Sequence, residues 1–479
     1  MKPQRVSRKP PDAVSRPGAA VSRHQHVEDP VQSTSLGYEV PGSYLNVTEV
    51  SAVPAAQDRN ELSRLDSHSI EEIASHQQTN ERLPPGREPL SERQHSPPRQ
   101  LAGARAGLVI SNWATELYTV SYLILFAIFG TLARLGLQAL TFYPGAPIAF
   151  SSVWPNFAGS LIIGFLIEDR MLFRFEWGTP TYDQHLTKAE MGRDSGSPRS
   201  QSASEDLATA KRAHLATKKT IPLYIGLATG FCGSFTSFSS FIRDVFLALS
   251  NDLPMPDGTA TPRNGGYSFL ALLAVALGTI SLSFSGYYLG SQLAVALETV
   301  TPSIPYTLMR RIIDPLAVVL GWGSWIGAVI LSIAPPDRFI DPGVSEFWRG
   351  RATLALSFAP LGCLARFYAS ARLNGRLASF PLGTFAVNML GTAILGLAWD
   401  LAHVPEGGVI GCQVFQGIED GFCGCLTTVS TWVTELAVLK RRKAYVYGSV
   451  SVFSAFALMV AIMGGLRWGR GFSGLLCLY

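Results

Sequence analysis

Charged residues are scarce in this chain of 479 residues, and that scarcity argues against a soluble protein. Lys, Arg, Asp and Glu make up 15% of the sequence, whereas soluble domains usually contain about 25%. The net charge of +4 is small, and no basic cluster is interleaved with aromatic residues as a nucleic-acid interface would require. With 47% hydrophobic residues, the composition favours a membrane protein, and we expect no nucleic-acid partner.

Large aromatic residues are nearly absent from one part of the chain. Residues 1–100 contain no Phe, Trp or Cys and are dominated by Pro, Ser, Arg, Gln and Glu. Such a composition cannot bury enough apolar surface to offset the chain entropy lost on folding. We therefore predict a disordered tail over residues 1–104. A glycosylation acceptor at Asn46 to Thr48 would need a lumenal tail, which the charge distribution described below contradicts.

Metal-ligating and catalytic motifs are missing as well. The six cysteines lack the paired spacing of a zinc site or a secreted disulfide framework, so we interpret them as small packing residues. No histidine falls inside a predicted membrane span, and no paired-carboxylate or nucleophile motif is present. An integral membrane enzyme is therefore not expected. The cysteines are Cys232, Cys363, Cys412, Cys423, Cys425 and Cys477.

Long apolar segments are what the chain contains in abundance. A helix needs about 20 apolar residues to cross the hydrocarbon core of a bilayer, and nine segments meet this requirement. They predict an all-α integral membrane protein with nine transmembrane helices. The predicted spans are residues 117–140, 147–168, 221–249, 267–297, 312–334, 352–372, 380–402, 409–438 and 446–468.

Basic residues are distributed unequally between the connections that join these spans. The connections after the second, fourth, sixth and eighth spans contain nine, two, two and four Lys and Arg residues, whereas the alternate connections contain none, one, three and none. Such an excess lies on the cytoplasmic side of a membrane. We therefore predict a cytosolic N-terminus, with a cytosolic tail, and an extracellular C-terminus.

The chain also repeats itself internally. Two pairs of segments match at an offset of 232 residues and a third pair matches at 191, and the difference of 41 residues is a polar insertion at about 176–218. A loop on the cytoplasmic side tolerates such an insertion. The matching pairs are Gly130–Arg134 with Gly362–Arg366, Asn156–Gly159 with Asn388–Gly391, and Gly230–Gly233 with Gly421–Gly424.

An odd span separates the two repeats and inverts the second one. We predict a first four-helix domain over residues 117–297 and a second over 352–468, joined by a connection over 298–345 that contains the span 312–334. Four spans return the chain to its starting side, so one further span makes the second domain enter from the opposite face. The expected fold is two inverted four-helix repeats joined by a linking helix.

One span of each repeat is rich in Gly, Ser and Thr and is a poor continuous helix. These segments run from Gly230 to Phe241 and from Gly421 to Trp432. A helix break inside a bilayer is tolerated only where the freed backbone groups are buried in protein or face water or ions. Close helix packing through small residues is the alternative explanation, but the recurrence of Gly-Phe-Cys-Gly in both repeats favours a functional site.

These motifs resemble those of the eukaryotic fluoride exporters, a family in which two copies of the small bacterial fluoride channel are fused through a linking helix. The resemblance covers about residues 117–470. It rests on the Gly-x-x-x-Arg of spans one and six, the Asn of spans two and seven, and the Gly-Phe-Cys-Gly-x-x-Thr segments. It implies passive conduction of fluoride out of the cytosol across the plasma membrane, by a single chain that needs no further oligomerisation.

Several side chains at these positions suit fluoride, a strongly hydrated ion that needs several hydrogen-bond donors in place of its water. Asn156 and Asn388 can each donate two amide hydrogens. Phe238 and Phe241, on one helical face, can offer electropositive ring edges and match the family's pore phenylalanines, with ordinary core packing as the alternative. Further donors are expected from the hydroxyls of Thr236, Ser239, Thr427 and Ser430.

The second repeat departs from the family's pattern at the aromatic positions, which are occupied by Val429 and Trp432. The family's architecture implies that each pore takes one such position from each repeat. One pore then pairs Phe238 with Trp432, and the other pairs Phe241 with Val429. We expect one conducting and one degenerate pore, and the sequence does not distinguish them.

Four charged residues lie within or towards the ends of the apolar spans. Inserting Arg134 or Arg366 costs about 2.5–3.5 kcal/mol, so each needs a partner or a water-filled vestibule. They attract anions by positive potential or bind backbone carbonyls freed by the helix breaks, and these roles are compatible. Asp244 and Glu435, related by the offset of 191, could pair with an arginine, shape a vestibule or carry protons.

The family also has a central sodium ion held by main-chain carbonyls, so the resemblance implies structural Na⁺ as a cofactor. Two short polar stripes, in spans four and nine, could line the ion path or bond neighbouring helices. The carbonyls implied for sodium are those of Gly233, Thr236, Gly424 and Thr427. The stripes are Ser281 with Ser285 and Ser451 with Ser454.

Two other membrane functions stay open at this point. A fluoride transporter coupled to protons would use Asp244 or Glu435 as the carrier. A non-conducting scaffold or sensor would have lost both pores, which the departures at Val429 and Trp432 allow. In each case the expected partners are the fluoride ion and the lipid bilayer.

Overall fold

The computed structural model describes residues 41–47, 111–148, 150–174, 215, 218–254, 263–334, 349–377, 379–404 and 407–478. Within these ranges the chain forms helices and no β-strand, in agreement with the all-α expectation. The predicted tail outside residues 41–47 and most of the polar insertion at 176–218 lie outside the described residues.

The first half of the molecule, residues 112–296, contains the first four predicted spans. Its third span is interrupted twice, by a π-helical turn and by a break between Phe235 and Phe238. The elements are α1 (Asn112–Thr141), α2 (Val153–Glu168), α3 (Pro222–Ile225), the π-helical turn π1 (Gly226–Cys232), α4 (Gly233–Phe235), α5 (Phe238–Ser250) and α6 (Gly265–Ala296).

The second half, residues 349–469, has the same order of elements and follows a linking helix. The link consists of α7 (Tyr306–Leu308), π2 (Met309–Ile313) and α8 (Asp314–Ile333). The second half consists of π3 (Arg349–Leu354), α9 (Ala355–Leu373), α10 (Leu382–Ala402), α11 (Gly408–Gly417), π4 (Ile418–Cys423), α12 (Gly424–Leu426), α13 (Ser430–Val438) and α14 (Arg441–Gly469).

Seven helical stretches among the described residues are long and apolar enough to cross a membrane. They correspond to seven of the nine predicted spans, with ends that differ by a few residues. The second predicted span is the shorter apolar helix α2. The eighth is divided into α11, π4, α12 and α13, and the chain leaves the helical conformation at Thr427. Nine membrane crossings therefore stay a prediction.

Corresponding helices pack in the same way in the two halves. α2 lies along α6, and α10 lies along α14. Glycines permit the closest approach, since a Cβ added to Gly290 in α6 would lie 1.9 Å from the carbonyl oxygen of Leu161. The halves meet where α1 contacts α9 and where the short helices α4 and α12 contact each other. The linking helix α8 packs on α1.

The two helix pairs also give the correspondence between α6 and α14. Gly164 in α2 and Gly396 in α10 are related by the offset of 232 residues. A Cβ added to Gly164 would meet Tyr287 of α6, and one added to Gly396 would meet Ile462 and Met459 of α14. The buried residues of the two helices fix the register, since Val275, Thr279 and Ser283 of α6 have the same spacing as Tyr447, Ser451 and Ala455 of α14. Residues of α6 and α14 therefore correspond at an offset of 172.

A π-helical turn precedes each helix break, and the sequence analysis does not predict it. π1 ends at Cys232 and π4 ends at Cys423, so both Gly-Phe-Cys-Gly segments pass from π to α geometry. Short π-helical turns frequently mark functional sites. The glycines let the neighbouring helix approach, since a Cβ on Gly421 would lie 2.2 Å from the carbonyl oxygen of Ala355.

Residues 41–47 differ from the disorder predicted for the tail. Residues Gly42–Asn46 form a 3₁₀ turn, the tail turn, which packs against the end of α9. Tyr44 and Val47 are buried there. Isolated apolar residues in a polar segment have no periodic pattern, so the sequence does not reveal that a distant helix covers them.

Cys412 and Cys477 form a disulfide, with their Cα atoms 5.8 Å apart, so the interpretation of these two cysteines as packing residues is wrong. They are separated by 65 residues, a distance that has no recognisable spacing pattern. Only the fold brings the C-terminal segment to the start of α11. Among the described residues the other four cysteines form no disulfide and are buried.

Candidate ion-conducting site

A backbone break at Thr236 separates α4 from α5. Thr236 has extended torsion angles, φ −92° and ψ 151°, and Asn156 of α2 replaces the lost helical bonds. Asn156 Oδ1 accepts a hydrogen bond from the Ser237 backbone nitrogen at 2.9 Å, and Nδ2 donates to the Ser237 carbonyl at 3.4 Å. In a continuous helix the Ser237 N–H would bond to the carbonyl of Gly233. Asn156 therefore stabilises the break and diverts this donor from Gly233.

The second half contains the same arrangement at Thr427, which has φ −95° and ψ 154°. Asn388 Oδ1 accepts from the Thr428 backbone nitrogen at 2.9 Å, and Nδ2 donates to the Thr428 carbonyl at 3.3 Å. Asn156 and Asn388 are both fully buried. Each uses one amide hydrogen for the backbone, so at most one of its two amide hydrogens is left for an ion.

The threonine at each break caps a helix of the opposite half. Thr427 Oγ1 accepts from the Ser239 backbone nitrogen, near the start of α5, at 3.1 Å. Thr236 Oγ1 accepts from the backbone nitrogens of Val429 and Ser430, at the start of α13, at 3.2 and 3.1 Å. Since the first N–H groups of a helix have no partners within it, these exchanged caps join the two halves.

The four hydroxyls selected from the sequence therefore meet at one buried centre. Ser239 Oγ lies 3.0 Å from Thr427 Oγ1, and Thr236 Oγ1 donates to Ser430 Oγ at 3.2 Å. Both threonine hydroxyls also lie within hydrogen-bonding distance of the carbonyl one turn earlier in their own chain segment. The threonines thus brace the breaks, and Ser430 Oγ, which accepts from Thr236, keeps its own hydrogen for an ion.

Arg134 and Arg366 reach backbone carbonyls at the breaks. Arg134 Nη1 donates to the carbonyls of Ser234 at 2.5 Å and Gly424 at 2.9 Å, one in each half. Arg366 likewise donates to one carbonyl in α12 at 2.9 Å and to one in π1 at 2.8 Å. Both side chains are buried. These bonds are the ones expected of arginines that satisfy carbonyls at helix breaks, and they place two positive charges at the centre.

Glycine is required opposite each guanidinium group. A Cβ added to Gly233 would lie 2.3 Å from Arg366 Nη1, and one added to Gly424 would lie 2.3 Å from Arg134 Nη2. Neither position has room for a side chain. The last glycine of each Gly-Phe-Cys-Gly motif therefore lets the arginine of the opposite half approach the break.

The aromatic positions are buried and unequal. The Phe238 ring meets the Trp432 ring edge-on, with centroids 5.6 Å apart, and lies 5.8 Å from the Phe241 ring. Trp432 also lies against Gly448 of α14. Its indole Nε1 is buried without a hydrogen-bond partner among the described residues. Of the two pairs predicted, Phe238 with Trp432 is therefore in direct contact beside α14, while Val429 is buried and has no ring to offer.

The polar stripes predicted along spans four and nine are mostly wrong. In α6 the buried polar side chains nearest the predicted pair are Thr279 and Ser283, each two residues away from a predicted serine. In α14 only Ser451 of the predicted pair is buried. The reason is helical phase, which the polar pattern of a membrane helix does not determine. The exposed residues are Ser281, Ser285 and Ser454.

Corresponding hydroxyls of the two halves differ in their partners. Ser160 in α2 and Thr279 in α6 are buried and have no hydrogen-bond partner among the described residues. Their counterparts, Thr392 in α10 and Ser451 in α14, each donate to a carbonyl one turn earlier in the same helix, at 2.7 Å. Buried polar groups normally have partners, so the first half contains donors that the protein itself does not use.

The carboxylate of Asp244, a residue of α5, lies beside the start of α2. Its Oδ2 accepts from the Ser152 backbone nitrogen at 3.1 Å, and its Oδ1 lies 3.1 Å from Arg243 Nη2. Arg243 also approaches Glu419 of the second half, at 3.9 Å. The arginine that pairs with Asp244 is thus its neighbour in sequence, rather than Arg134 or Arg366.

The carboxylate of Glu435, a residue of α13, lies in the equivalent place beside the start of α10. It accepts from the Thr384 hydroxyl and from the Tyr447 hydroxyl, each at 2.6 Å. Both carboxylates therefore hold the start of the helix that contains the asparagine of their half, but Asp244 is in an ion pair and Glu435 is held by neutral hydroxyls.

Sequence reasoning missed several residues that build this site. The backbones of Ser237 and Thr428 bond to the two asparagines. The backbone nitrogen of Ser152 and the hydroxyl of Thr384 donate to the two carboxylates. The repeat contains a signal for both pairs, because the first is related by the offset of 191 residues and the second by 232. The internal repeat therefore identifies these four residues, although they lie outside the glycine motifs.

The helices and this site define a class of protein, an integral membrane protein in which two interrupted helices meet at buried hydrogen-bond donors. The chain belongs to the family described as CrcB-like protein, Camphor Resistance (CrcB), whose model matches residues 121–290 and 353–466. One matched segment falls in each half of the molecule.

Similar proteins include two fungal relatives and one bacterial relative. Fluoride export protein 1 of Neurospora crassa is 56% identical over 461 residues, which cover 92% of this chain and 85% of that protein. Fluoride export protein 1 of Candida albicans is 31% identical, with 72% of this chain and 79% of that protein covered. The Fluoride-specific ion channel FluC of Pseudomonas aeruginosa is 30% identical over 26% of this chain and 98% of its own length. No solved structure matches the chain.

These relatives confirm the resemblance to the fluoride exporters that the motifs indicate. Their printed names describe export proteins and an ion channel, and the chain is not an enzyme.

Proposed function

We propose that this chain is a fluoride-selective passive channel that exports fluoride from the cytosol across the plasma membrane and works as a single chain. Its relatives are named for fluoride export or as a fluoride-specific ion channel. The observation that carries the proposal is the pair of interrupted helices whose breaks meet at buried amide and hydroxyl groups. Such donors can replace the water that a small, strongly hydrated anion loses.

The proposed arrangement is two inverted repeats with nine crossings, a cytosolic N-terminus and an extracellular C-terminus. Three observations support it. The family model matches one segment in each half, and the exchanged threonine caps are reciprocal, as a twofold relation requires. The disulfide joins Cys412 to Cys477, two positions that the basic residues assign to the outside, where disulfides persist.

Fluoride permeation in this proposal depends on donors that the backbone does not consume. The remaining amide hydrogen of Asn156, the hydroxyl of Ser430 and the ring edge of Phe241 would meet the ion in turn. The guanidinium groups of Arg134 and Arg366 supply positive potential beside this path without leaving their carbonyl partners. Larger halides gain less from the same donors than fluoride does, because their charge is spread over a larger radius and hydrogen bonds to them are weaker. A site whose donors offset the dehydration cost of fluoride therefore favours fluoride.

We assign conduction to the first pathway, the region between α2, α6 and α13, and degeneracy to the second pathway, between α10, α14 and α5. The unpartnered hydroxyls of Ser160 and Thr279 lie on helices of the first pathway, where passing ions and water would supply their partners. In the second pathway the counterpart hydroxyls bond to their own helices. Tyr447 also occupies there the position that Val275 has in α6 and is fully buried.

The aromatic positions agree with this assignment. Trp432 and Phe238 are in contact beside α14, which is a helix of the second pathway. Helix α5 also packs on α6, so the first pathway is left with Phe241 of α5 and with Val429 just before α13. An aromatic edge opposite a smaller side chain leaves more room for an ion.

A structural sodium ion is part of the proposal. Both glycine carbonyls among its ligands have lost their helical N–H donors to an asparagine. A carbonyl oxygen has two lone pairs, so Gly424 can accept from Arg134 and still bind a cation. The ion would join the halves and add positive charge near the anion path. Its ligands would be the carbonyls of Gly233, Thr236, Gly424 and Thr427.

Fluoride efflux from liposomes that contain the purified protein tests the proposal. A channel is expected to give a current that reverses at the fluoride equilibrium potential, ignores a pH gradient and excludes chloride. A reversal potential that shifts with the proton gradient would instead establish a coupled transporter, with Asp244 or Glu435 as the carrier. Protein that is folded but gives no flux would indicate the non-conducting scaffold.

A further inference from the structure

The tail turn is anchored to the end of α9 by an aromatic side chain. Tyr44 is 3% exposed and Val47 is 1% exposed. The Tyr44 ring packs edge-on against Phe367, with ring centroids 5.0 Å apart. Burial of an aromatic ring is a large contribution to any docking contact. The turn is thus held by side-chain packing on a helix of the second half.

Asn46 provides a polar anchor beside this ring. Its Nδ2 donates to the carbonyl of Ala371 at 3.0 Å, one of the last carbonyls of α9, which have no partner within the helix. Its amide also lies against Gly375, where an added Cβ would be 2.5 Å from Asn46 Oδ1. Gly375 therefore leaves a space that the tail turn fills.

The docked turn lies away from both proposed pathways. Tyr44 and Val47 share an apolar cluster with Phe367 and Ala371, whereas the aromatic residues of the pathways belong to a separate cluster. The turn is therefore not placed to plug a pathway. It contacts the last turns of α9, which the basic residues assign to the cytosolic side, the same side as the tail.

The end of α9 is connected to the helix breaks by two routes. Arg366, next to Phe367, donates to carbonyls of π1 and α12. Asn374, just after α9, accepts from the Thr384 backbone nitrogen at 3.0 Å, and Thr384 donates to Glu435 at 2.6 Å. A displacement of the end of α9 would therefore disturb both the arginine and the carboxylate.

We propose that the tail turn is a positioning element of the channel, in which Tyr44 and Asn46 hold the end of α9 so that Arg366 and Asn374 keep their bonds to the site. Neither Tyr44 nor Asn46 touches the ion. This inference rests on the proposed function, because its consequence is a change in fluoride flux.

The Tyr44 hydroxyl offers a matched control. It is buried without a hydrogen-bond partner among the described residues, and such a group opposes burial. Burial, together with the charge of Glu116, raises the pKa of Tyr44 above its ordinary value, so the hydroxyl stays neutral. Since the ring and not the hydroxyl holds the turn, Tyr44→Phe is expected to dock at least as well as the natural residue.

Cysteine labelling of the full-length purified protein tests the docking. The four natural cysteines outside the disulfide are buried, so a hydrophilic maleimide reports on an added one. Val47→Cys is expected to react slowly and Gly42→Cys rapidly, because Gly42 is exposed. Adding Tyr44→Ala should speed the labelling of Val47→Cys by about tenfold or more, given the size of the buried ring, while Tyr44→Phe should leave it slow. Rapid labelling of Val47→Cys in the otherwise natural chain would overturn the docked turn.

Fluoride efflux from liposomes tests the positioning role. Tyr44→Ala and Asn46→Ala are expected to lower the efflux rate several-fold, and Tyr44→Phe to restore it. Gly375→Ala, which fills the space from the side of the channel, should lower efflux in the same way. A variant in which Val47→Cys reacts rapidly, but in which fluoride efflux equals that of the natural chain, would overturn the positioning role. It would leave the proposed function standing. No efflux from the natural chain would overturn the proposed function, and this role with it, while the labelling result would stand.

Discussion

The two halves of the molecule are alike where their helix breaks at Thr236 and Thr427 meet, a region called here the crossing. They are unlike along the two pathways. At the crossing, each half supplies an asparagine to its own break, and a threonine and an arginine to the break of the other half. Along the pathways, Ser160 and Thr279 have no hydrogen-bond partner among the described residues, whereas Thr392 and Ser451 each have one. The same repeated sequence has been retained in one region and has diverged in the other.

The difference follows from which contacts are shared. At the crossing a change in one half removes a cap or a carbonyl partner from the other, so neither half can vary alone. Along each pathway the lining helices serve only that pathway. One pathway can then lose its donors or fill with a side chain such as Tyr447, while the other still conducts. Variants that treat corresponding residues alike test this distinction.

The largest effect is expected at the crossing and should be equal in the two halves. Gly233→Ala and Gly424→Ala each place a Cβ 2.3 Å from a guanidinium nitrogen, and overpacking of this kind costs about 1–3 kcal/mol. Fluoride efflux should fall by about a hundredfold or more in both, since the break and the arginine are displaced together. Gly323→Ala in α8, where an added Cβ meets nothing within 4 Å, is the control. Loss in one variant only would contradict an interdependent crossing.

A smaller and unequal effect is expected along the pathways. Thr279→Val removes a donor from the first pathway, and hydrogen bonds to charged groups contribute about 1.5–3 kcal/mol, so efflux should fall about tenfold or more. Ser451→Ala removes a hydroxyl that is bonded within its own helix, and efflux should stay within about twofold of the natural rate. The reverse order would assign conduction to the second pathway.

Substitutions of the two pore phenylalanines should also have unequal effects on fluoride efflux, with the larger loss in the first pathway. Phe241→Ile removes the ring edge left to the first pathway, and efflux is expected to fall several-fold. Phe238→Ile acts mainly on the contact with Trp432 in the second pathway, so its effect on efflux should be smaller. Both variants are measured by the initial rate of fluoride loss from liposomes. Equal losses would mean that both pathways conduct or that one pathway uses both rings.

The two carboxylates should differ in stability more than in flux. Asp244→Asn leaves Arg243 without its close partner, and breaking a buried ion pair costs about 3–5 kcal/mol. The hydroxyls of Thr384 and Tyr447 donate to different oxygens of Glu435. Glu435→Gln keeps one acceptor oxygen, and its NH₂ group can donate to the hydroxyl that loses the other, so its cost should be about 1 kcal/mol. Thermal unfolding in detergent measures both. An equal loss of stability would show that the ion pair does not distinguish the halves.

The smallest effect on flux is expected at the disulfide, which joins Cys412 of α11 to Cys477 near the C-terminus. Cys412→Ser should change fluoride efflux less than about twofold, although loss of a disulfide typically costs about 2–4 kcal/mol of stability. A cysteine added at Gly474, which is exposed, reports orientation. A membrane-impermeant maleimide should label Gly474→Cys from outside intact cells. Labelling only after the cells are opened would contradict an extracellular C-terminus.

Much of this architecture could be predicted from local patterns. Apolar length indicates the helices, and the density of Gly, Ser and Thr indicates the breaks at Thr236 and Thr427. Burial of Asn156 and Arg134 at the site follows from a repeat that places them in corresponding spans. These features depend on residues close together in the chain or related by one offset, which is why the sequence reveals them.

Other features could not be predicted because they depend on helical phase or on distant partners. The buried stripe of α6 is Thr279 with Ser283, and not Ser281 with Ser285, since a membrane helix has polar residues on more than one face. The pairing of Cys412 with Cys477 and the docking of Tyr44 on Phe367 join segments that have no shared pattern.

The sequence by itself determined that this chain forms apolar helices in two related sets, with a helix break at the same place in each set (the weak points). It could do so because hydrophobic length and backbone propensity are local properties. Only the tertiary structure decided which polar groups are consumed at those weak points and which are left over. Whether a buried hydroxyl finds a carbonyl or stays free depends on the side of the helix that it occupies and on what packs there, and that is settled when the two halves meet.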